Sequence, residues 1–241
     1  MTKVFLAGAS GVIGRRVCEI LLKNGYEIYG TTRSKDKANL LNELGVKAIV
    51  LDVFDAKKLQ TDMAKIRPQI VLHQLTDLPK GLPADKMSEA LVKNAILRDV
   101  GTRNLVEAAI LSGVEKMVAQ SIGFIYENGT KPYTEASPLL NFEDPIYGET
   151  SRAVSSLESQ VLNAPFTGIV LRNGLLYGAG TGFDEPISGV SSLHADAAAL
   201  AVVLAMKYDK SGIFNIADKD DIIDCQKAIK EIGWDASFRL R

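Results

Sequence analysis

Short, unbroken apolar runs recur along the chain, each followed by a longer stretch whose apolar positions return every three or four residues. Val4–Ala7, Glu27–Thr32, Lys47–Leu51, Ile70–His73, Lys116–Ser121, Thr167–Arg172 and Gly212–Ile216 are of the first kind and predict strands. Between them, Gly11–Asn24, Lys35–Leu44, Ala56–Ile66, Met87–Ser112, Gly148–Asn163, Ala195–Tyr208 and Ile222–Ile232 predict helices. Gly25, Gly45 and Gly113 stand where C-terminal caps belong, and Pro68 stops the third helix. Strands this apolar are buried on both faces, as a parallel sheet covered by helices requires. The strict alternation therefore predicts an α/β fold: a doubly wound, mostly parallel seven-stranded sheet.

Two stretches break the rhythm, Glu127–Pro145 and Gly178–Leu193. Both are rich in turn residues and both follow the carboxyl end of a strand, the side on which such sheets bind ligands. Composition narrows the field without adding a site. At 241 residues with 46% hydrophobic positions the chain can bury one large core. A net charge of −1 offers no field for nucleic acid or anionic lipid, so neither partner is expected. Cys18 and Cys225 lie far apart with no metal-ligand spacing, which reads as reduced, cytoplasmic usage with no metal site. The run Val4–Ala7 is too short for a signal peptide or membrane span, so the Asn128-Gly129-Thr130 sequon carries no weight.

The strongest local signal is Gly8-Ala9-Ser10-Gly11-Val12-Ile13-Gly14, directly after the first strand and opening the first helix. Gly8 allows the tight turn, Gly11 lets backbone approach a pyrophosphate, and Gly14 permits close helix–strand packing. The free N–H groups of the helix start then face the phosphates. This is a Rossmann-type dinucleotide site. A site selective for NAD needs an acid at the end of strand two, where the chain instead reads Gly30-Thr31-Thr32-Arg33-Ser34. Arg33 pairs with a 2′-phosphate, helped by Thr32, Ser34 and Arg15, or else it is a solvated surface residue. The first alternative favours NADP(H).

The spacing G-x-x-G-x-x-G resembles the short-chain dehydrogenase/reductase superfamily, in particular its extended NAD(P)-dependent epimerase/dehydratase branch. Further segments carry the resemblance: Asp52-Val53, Gln74-Leu75-Thr76, Gly101-Thr102-Arg103-Asn104-Leu105, Leu171-Arg172 through Tyr177-Gly178-Ala179-Gly180, and His194-Ala195-Asp196. The resemblance implies that Asp52 and Val53 contact adenine and that Gln74, Leu75 and Thr76 line the nicotinamide-side phosphates. It also implies a homodimer built through the long helix and the tyrosine-bearing helix.

In that family a strand-five Ser or Thr and a Tyr-x-x-x-Lys carry the chemistry. By resemblance Ser121 steadies the oxygen and Tyr147 moves the proton, with Tyr126 as a competitor. The lysine position is Ser151, and none of the seven tyrosines has lysine four residues on. A tyrosine whose pKa starts near 10 is a poor base without that cation. His73 and His194 read as packed residues, and Glu135, Glu143, Asp144 and Asp184 as solvated ones. Only Ala179–Leu193 separates Gly178 from His194, and the closing Lys227–Trp234 segment follows almost at once, so the C-terminal substrate lobe is trimmed. The expectation is a single domain over residues 1–241, with substrate-side elements near 127–145, 178–193 and 217–241. The leading function is an NADP(H)-dependent oxidoreductase of a small carbonyl or hydroxyl compound. A nucleotide-sugar epimerase/dehydratase and a non-catalytic NAD(P)-binding redox sensor are the alternatives.

Overall fold

The computed structural model describes residues 1–240. Its first half runs β1 (Lys3–Ala7), α1 (Val12–Lys23), β2 (Glu27–Thr32), α2 (Lys35–Glu43), β3 (Lys47–Val50), α3 (Ala56–Ile66) and β4 (Ile70–His73). The second half runs α4 (Ala84–Ile96), α5 (Thr102–Leu111), β5 (Lys116–Ile122), α6 (Gly148–Leu162), β6 (Thr167–Asn173), β7 (Leu175–Tyr177), β8 (Ser192–His194), α7 (Ala195–Ala205), β9 (Gly212–Ile216) and α8 (Gln226–Ile232). Seven strands pair in the order β3-β2-β1-β4-β5-β6-β9, all neighbours parallel. The order reverses between β1 and β4, and in such a sheet a crevice opens beyond the carboxyl ends at that point.

The strands are apolar on both faces because each face is covered. Ile13, Val17 and Leu21 of α1 pack with the α7 alanines and with Ala228 and Ile232 of α8 on one side. Leu59 and Met63 of α3, Leu105 and Ala109 of α5, and Leu157 and Val161 of α6 pack on the other.

Three elements differ from the sequence expectation. The long helix starts at Ala84, behind Pro83, and changes pitch in a π-helical turn at Leu97–Gly101 between α4 and α5. Such turns break the helical period and frequently mark functional sites. The last helix is shorter than Ile222–Ile232. The Asp220 carboxylate accepts from the N–H groups of Ile222 (2.8 Å) and Ile223 (3.0 Å), and that of Asp224 accepts from Gln226 N–H (2.8 Å). These side-chain bonds hold residues 222–225 as a turn, and Ile223 bridges Tyr133. Finally, β7 and β8 form a separate two-stranded parallel sheet, each strand only three residues long and so too short to show a period.

The close approach of α1 to β1 depends on glycine. A Cβ on Gly14 would stand 2.2 Å from the Gly8 carbonyl oxygen and 2.9 Å from Ala9 Cα. Gly14→Ala is therefore expected to lose about 1–3 kcal/mol of stability or more through overpacking. Gly129→Ala, whose Cβ meets nothing closer than 3.8 Å, stays within about 0.5 kcal/mol. Urea unfolding of the two variants checks this, and equal midpoints would refute the packing argument.

Candidate active site

The glycine turn builds one end of the site. Gly8 sits at φ 89°, where a Cβ would be 2.6 Å from the Gln74 carbonyl oxygen, so the turn lies directly on the chain leaving β4. Gly11 then caps α1 with no side chain, and the first-turn N–H groups remain uncapped. A cleft of about 760 Å³ runs from this turn along the carboxyl ends of β2 and β3. Gly8, Ser10, Gly11, Val12, Arg33, Asp52, Val53, Gln74, Leu75 and Thr76 all line it. Ile13 and Gly14 are buried behind the turn, Ile13 touching the neighbouring pocket instead.

Several polar groups of this cleft already have partners. Arg33 is exposed and forms an ion pair with Asp77 at 3.0 Å. Buried Asn94 of α4 positions that aspartate by bonding both its N–H (3.0 Å) and its carbonyl (2.9 Å). Ser34 Oγ accepts from Lys37 N–H as the α2 cap, and Ser10 Oγ donates to Thr32 Oγ1 at 3.1 Å. Asn104 Nδ2 donates to the Val53 carbonyl at 3.0 Å, fixing the loop after β3. Gln74 is different. Both polar atoms of its side chain are buried without a partner. Uncapped N–H groups, a wall no Cβ can fill and an unpaired buried amide together fit a dinucleotide, held at its phosphates by the turn from Gly8 to Val12.

A second pocket, of about 460 Å³, shares Ser10–Val12, Lys37, Gln74–Thr76 and Leu78 with the first and continues it past β4 and β5. Ser121 lines it, but its hydroxyl donates to Glu158 of α6 at 2.8 Å. Glu158 is in turn held by Arg172 of β6, bidentate at 2.9 and 2.7 Å. Burial works against the charge on Arg172, and the Glu158 carboxylate more than offsets it, keeping the guanidinium protonated. Arg172 also donates to the Tyr126 hydroxyl at 3.0 Å, which donates to Asn215 Oδ1 at 2.5 Å. Burial pushes the Tyr126 phenol upward. Tyr126 is thus a member of a buried network and not a free acid.

Tyr147 does not share the pocket that Ser121 lines. It is 47% exposed at the N-terminus of α6 and lines neither pocket. Ser151, at the lysine position, is fully buried and donates to the Leu140 carbonyl at 2.6 Å. Arg152 lies outside, over the Phe142 ring. His73 is buried with Nε2 3.0 Å from Thr102 Oγ1, and burial, then the nearby Arg98, hold its pKa down at about 4. His194 caps α7 through Nδ1, which accepts from Asp196 N–H. Glu135 was expected to be solvated, but it accepts from Asn215 N–H at 2.8 Å. Of the three substrate-side stretches, among the described residues only 178–193 lines the smaller pocket, through Gly180, Thr181 and Phe183.

Two pocket residues escape the sequence reading. Asn173 follows Arg172 at the end of β6, and both polar atoms of its side chain are buried and unpaired. Its place at a strand's carboxyl end was the available signal. Arg98 lies on the π-helical turn, for which the sequence carries no pattern. The buried pair also generates a test. Arg172→Met leaves Glu158 without its cation, and removal of one partner of a buried pair costs about 3–5 kcal/mol. Thermal and urea unfolding should register that loss, and a variant as stable as the parent would remove the pair from its supporting role.

The fold and cleft have counterparts. A family model described as the NAD dependent epimerase/dehydratase family matches residues 4–224. A Streptomyces protein named 3-diazoavenalumate denitrifying reductase is 34% identical over 90% of this chain and 76% of its own length. A Dictyostelium discoideum sterol-4-alpha-carboxylate 3-dehydrogenase (decarboxylating) is 25% identical over 92% and 73%. Among solved structures, UDP-glucose 4-epimerase from Thermotoga maritima superimposes with a TM-score of 0.77 at 20% identity, covering 99% of this chain and 94% of that one. With the family model running from the first strand to the turn before α8, over the same glycine turn and cleft, this chain belongs to the NAD-dependent epimerase/dehydratase family.

Proposed function

We propose that this protein is an NADP(H)-dependent oxidoreductase that moves a hydride to or from a small carbonyl or hydroxyl compound, with solvent water rather than Tyr147 exchanging the proton. The observation that carries the reading is the continuous cleft. The glycine turn forms a wall common to the larger pocket, which suits a dinucleotide, and to the smaller one, which suits a compact substrate. A bound nicotinamide supplies the hydride. The chain's own part is to hold phosphates at the uncapped start of α1, to orient the substrate, and to shield it beneath Phe183 and Leu82.

NADP(H) is favoured because no carboxylate ends β2, and Arg33, Ser34 and Lys37 line the cleft there. Arg33 is paired with Asp77, so a 2′-phosphate has to displace that aspartate. NADPH should bind at least tenfold more tightly than NADH. Arg33→Ala should remove the preference, and Asp77→Asn, by freeing the guanidinium, should strengthen it. Fluorescence titration of both nucleotides reads all three, and tighter NADH binding in the parent protein would overturn the assignment.

A second reading is favoured by the pocket's chemistry. No tyrosine, histidine, cysteine or carboxylate lines the smaller pocket among the described residues, and the Ser121 proton is directed at Glu158. The 34%-identical relative is named as a denitrifying reductase of a diazo compound. In such a reduction hydride forms the new C–H bond, the C–N bond breaks, and dinitrogen leaves with the bonding pair, so no side chain has to give a proton. A general acid contributes about 10²–10⁴-fold where one operates. Tyr147→Phe is expected to keep turnover within about threefold on any substrate found in a screen of carbonyl and aryl diazonium compounds. A hundredfold loss would restore Tyr147 as the acid. Dinitrogen released one-for-one with NADPH oxidised, above the enzyme-free rate, separates the second reading from the first.

A further inference from the structure

The smaller pocket is built for an anion. Four cations line it, Arg15, Lys37, Lys80 and Arg98, with no Asp or Glu. Arg15 and Lys37 stand beside the turn, where dinucleotide phosphates bind. Arg98 stands elsewhere. It projects from the π-helical turn near His73, and among the described residues its guanidinium has neither a hydrogen bond nor an ion pair. Burial without compensation lowers its pKa to about 10, which still leaves it charged at neutral pH.

An arginine has five donors arranged in a planar fork, and a half-buried one facing a pocket with no protein partner is free to pair with a ligand. The surroundings say what kind of ligand. Asn173, 4% exposed, lines the same pocket with both amide atoms unpaired, and Gln74, 5% exposed, does likewise. Apolar side chains fill much of the remaining wall, among them Phe124, Leu157, Leu176 and Phe183. A flat, two-oxygen anion on an apolar body satisfies both the fork and the wall.

We propose that Arg98 anchors a carboxylate of the substrate, with Asn173 of the same pocket as a second partner, so that this reductase acts on small acids with an aromatic or branched apolar body. The inference deepens the function proposed above and rests on the dinucleotide phosphates being held by the glycine turn, which leaves Arg98 for substrate.

Calorimetry with cinnamate, benzoate and the neutral isostere cinnamamide, each with and without NADP⁺, tests it, alongside NADPH titration of every variant. The parent protein should bind an acid at least tenfold more tightly than the amide. Arg98→Met should lose about ten- to a hundredfold in acid binding, keep its weak amide binding, and keep NADPH affinity within about twofold. Arg98→Lys, which retains charge but not the fork, should fall between. Equal binding of acid and amide, or no binding of any acid in either state, overturns the proposal while NADPH binding leaves the cofactor reading intact. A drop in NADPH affinity in Arg98→Met with acid binding unchanged also overturns it, by giving the guanidinium to the cofactor. Acid selectivity in a protein that binds no NADPH would uphold Arg98 and remove the dinucleotide. Should Arg98→Met fail to fold, the acid–amide comparison in the parent protein and Arg98→Lys decides the matter.

Discussion

The distance between β1 and α1 sets the rest of the site. With 2.2 Å between the Gly8 carbonyl oxygen and the place where a Gly14 Cβ would stand, the helix comes against the strand as closely as backbone allows. On its other side Gly8 rests on the Gln74 main chain. Strand, helix and the chain leaving β4 therefore form one rigid corner, and this corner is the wall common to both pockets. The same helix positions the opposite rim. Arg16 pairs with Asp196 at the start of α7 and donates to the Ala179 carbonyl at 2.8 Å, while Asp196 also accepts from Leu240 N–H at 3.0 Å. The short side chains of the alanine-rich α7 let it lie close to α1, so loop, helix and tail are held together.

Polar groups at the carboxyl ends of the strands divide into two sets with opposite meanings. Ser121, Glu158, Arg172, Tyr126, Asn215 and Glu135 satisfy one another in a closed network. A network of this kind at low dielectric stabilises only when every member is paired, and its groups are then unavailable for chemistry. Gln74 and Asn173 are the reverse case, polar and buried with nothing to bond, and half-buried Arg98 stands with them in the same pocket. The cost of an unmade buried hydrogen bond exceeds the gain from a made one, so this second set locates the ligand. Ser121 resembles a catalytic serine in sequence, but its proton belongs to the first set.

The fold was legible because it follows from hydrophobic period and caps. Glu27–Thr32, Ala56–Ile66, Ile70–His73 and Gly212–Ile216 stand where the pattern places them. The glycine turn was legible because only glycine permits its contacts. Two elements were not: the Asp220 turn that shortens α8 is set by side-chain bonds, and the three-residue strands β7 and β8 are too short to leave a periodic trace. The catalytic pair was read from motif positions, which record neighbours along the chain and not the direction of a hydroxyl. That Ser121 turns to Glu158 depends on contacts between elements far apart in sequence. Arg98 was hidden for a related reason. A π-helical turn displaces every later residue from the helical period, so the side chain it presents to the pocket is not the one a continuous helix would present.

The missing lysine and the unpaired arginine have a common logic. In a carbonyl reduction, charge accumulates on the substrate oxygen, and a tyrosine whose pKa is lowered by a cation relieves it. Here the lysine position has become Ser151, buried and bonded to the Leu140 carbonyl, so that position contributes packing and no charge. The smaller pocket does hold a cation, Arg98, a group that stays charged at neutral pH. A permanently charged fork is a weak proton relay and a strong carboxylate anchor. On the reading proposed here, the site replaces a relay with an anchor, orienting an acidic substrate and leaving the proton to solvent. Its chemistry then runs best where hydride arrival alone completes the reaction, or where water reaches the oxygen.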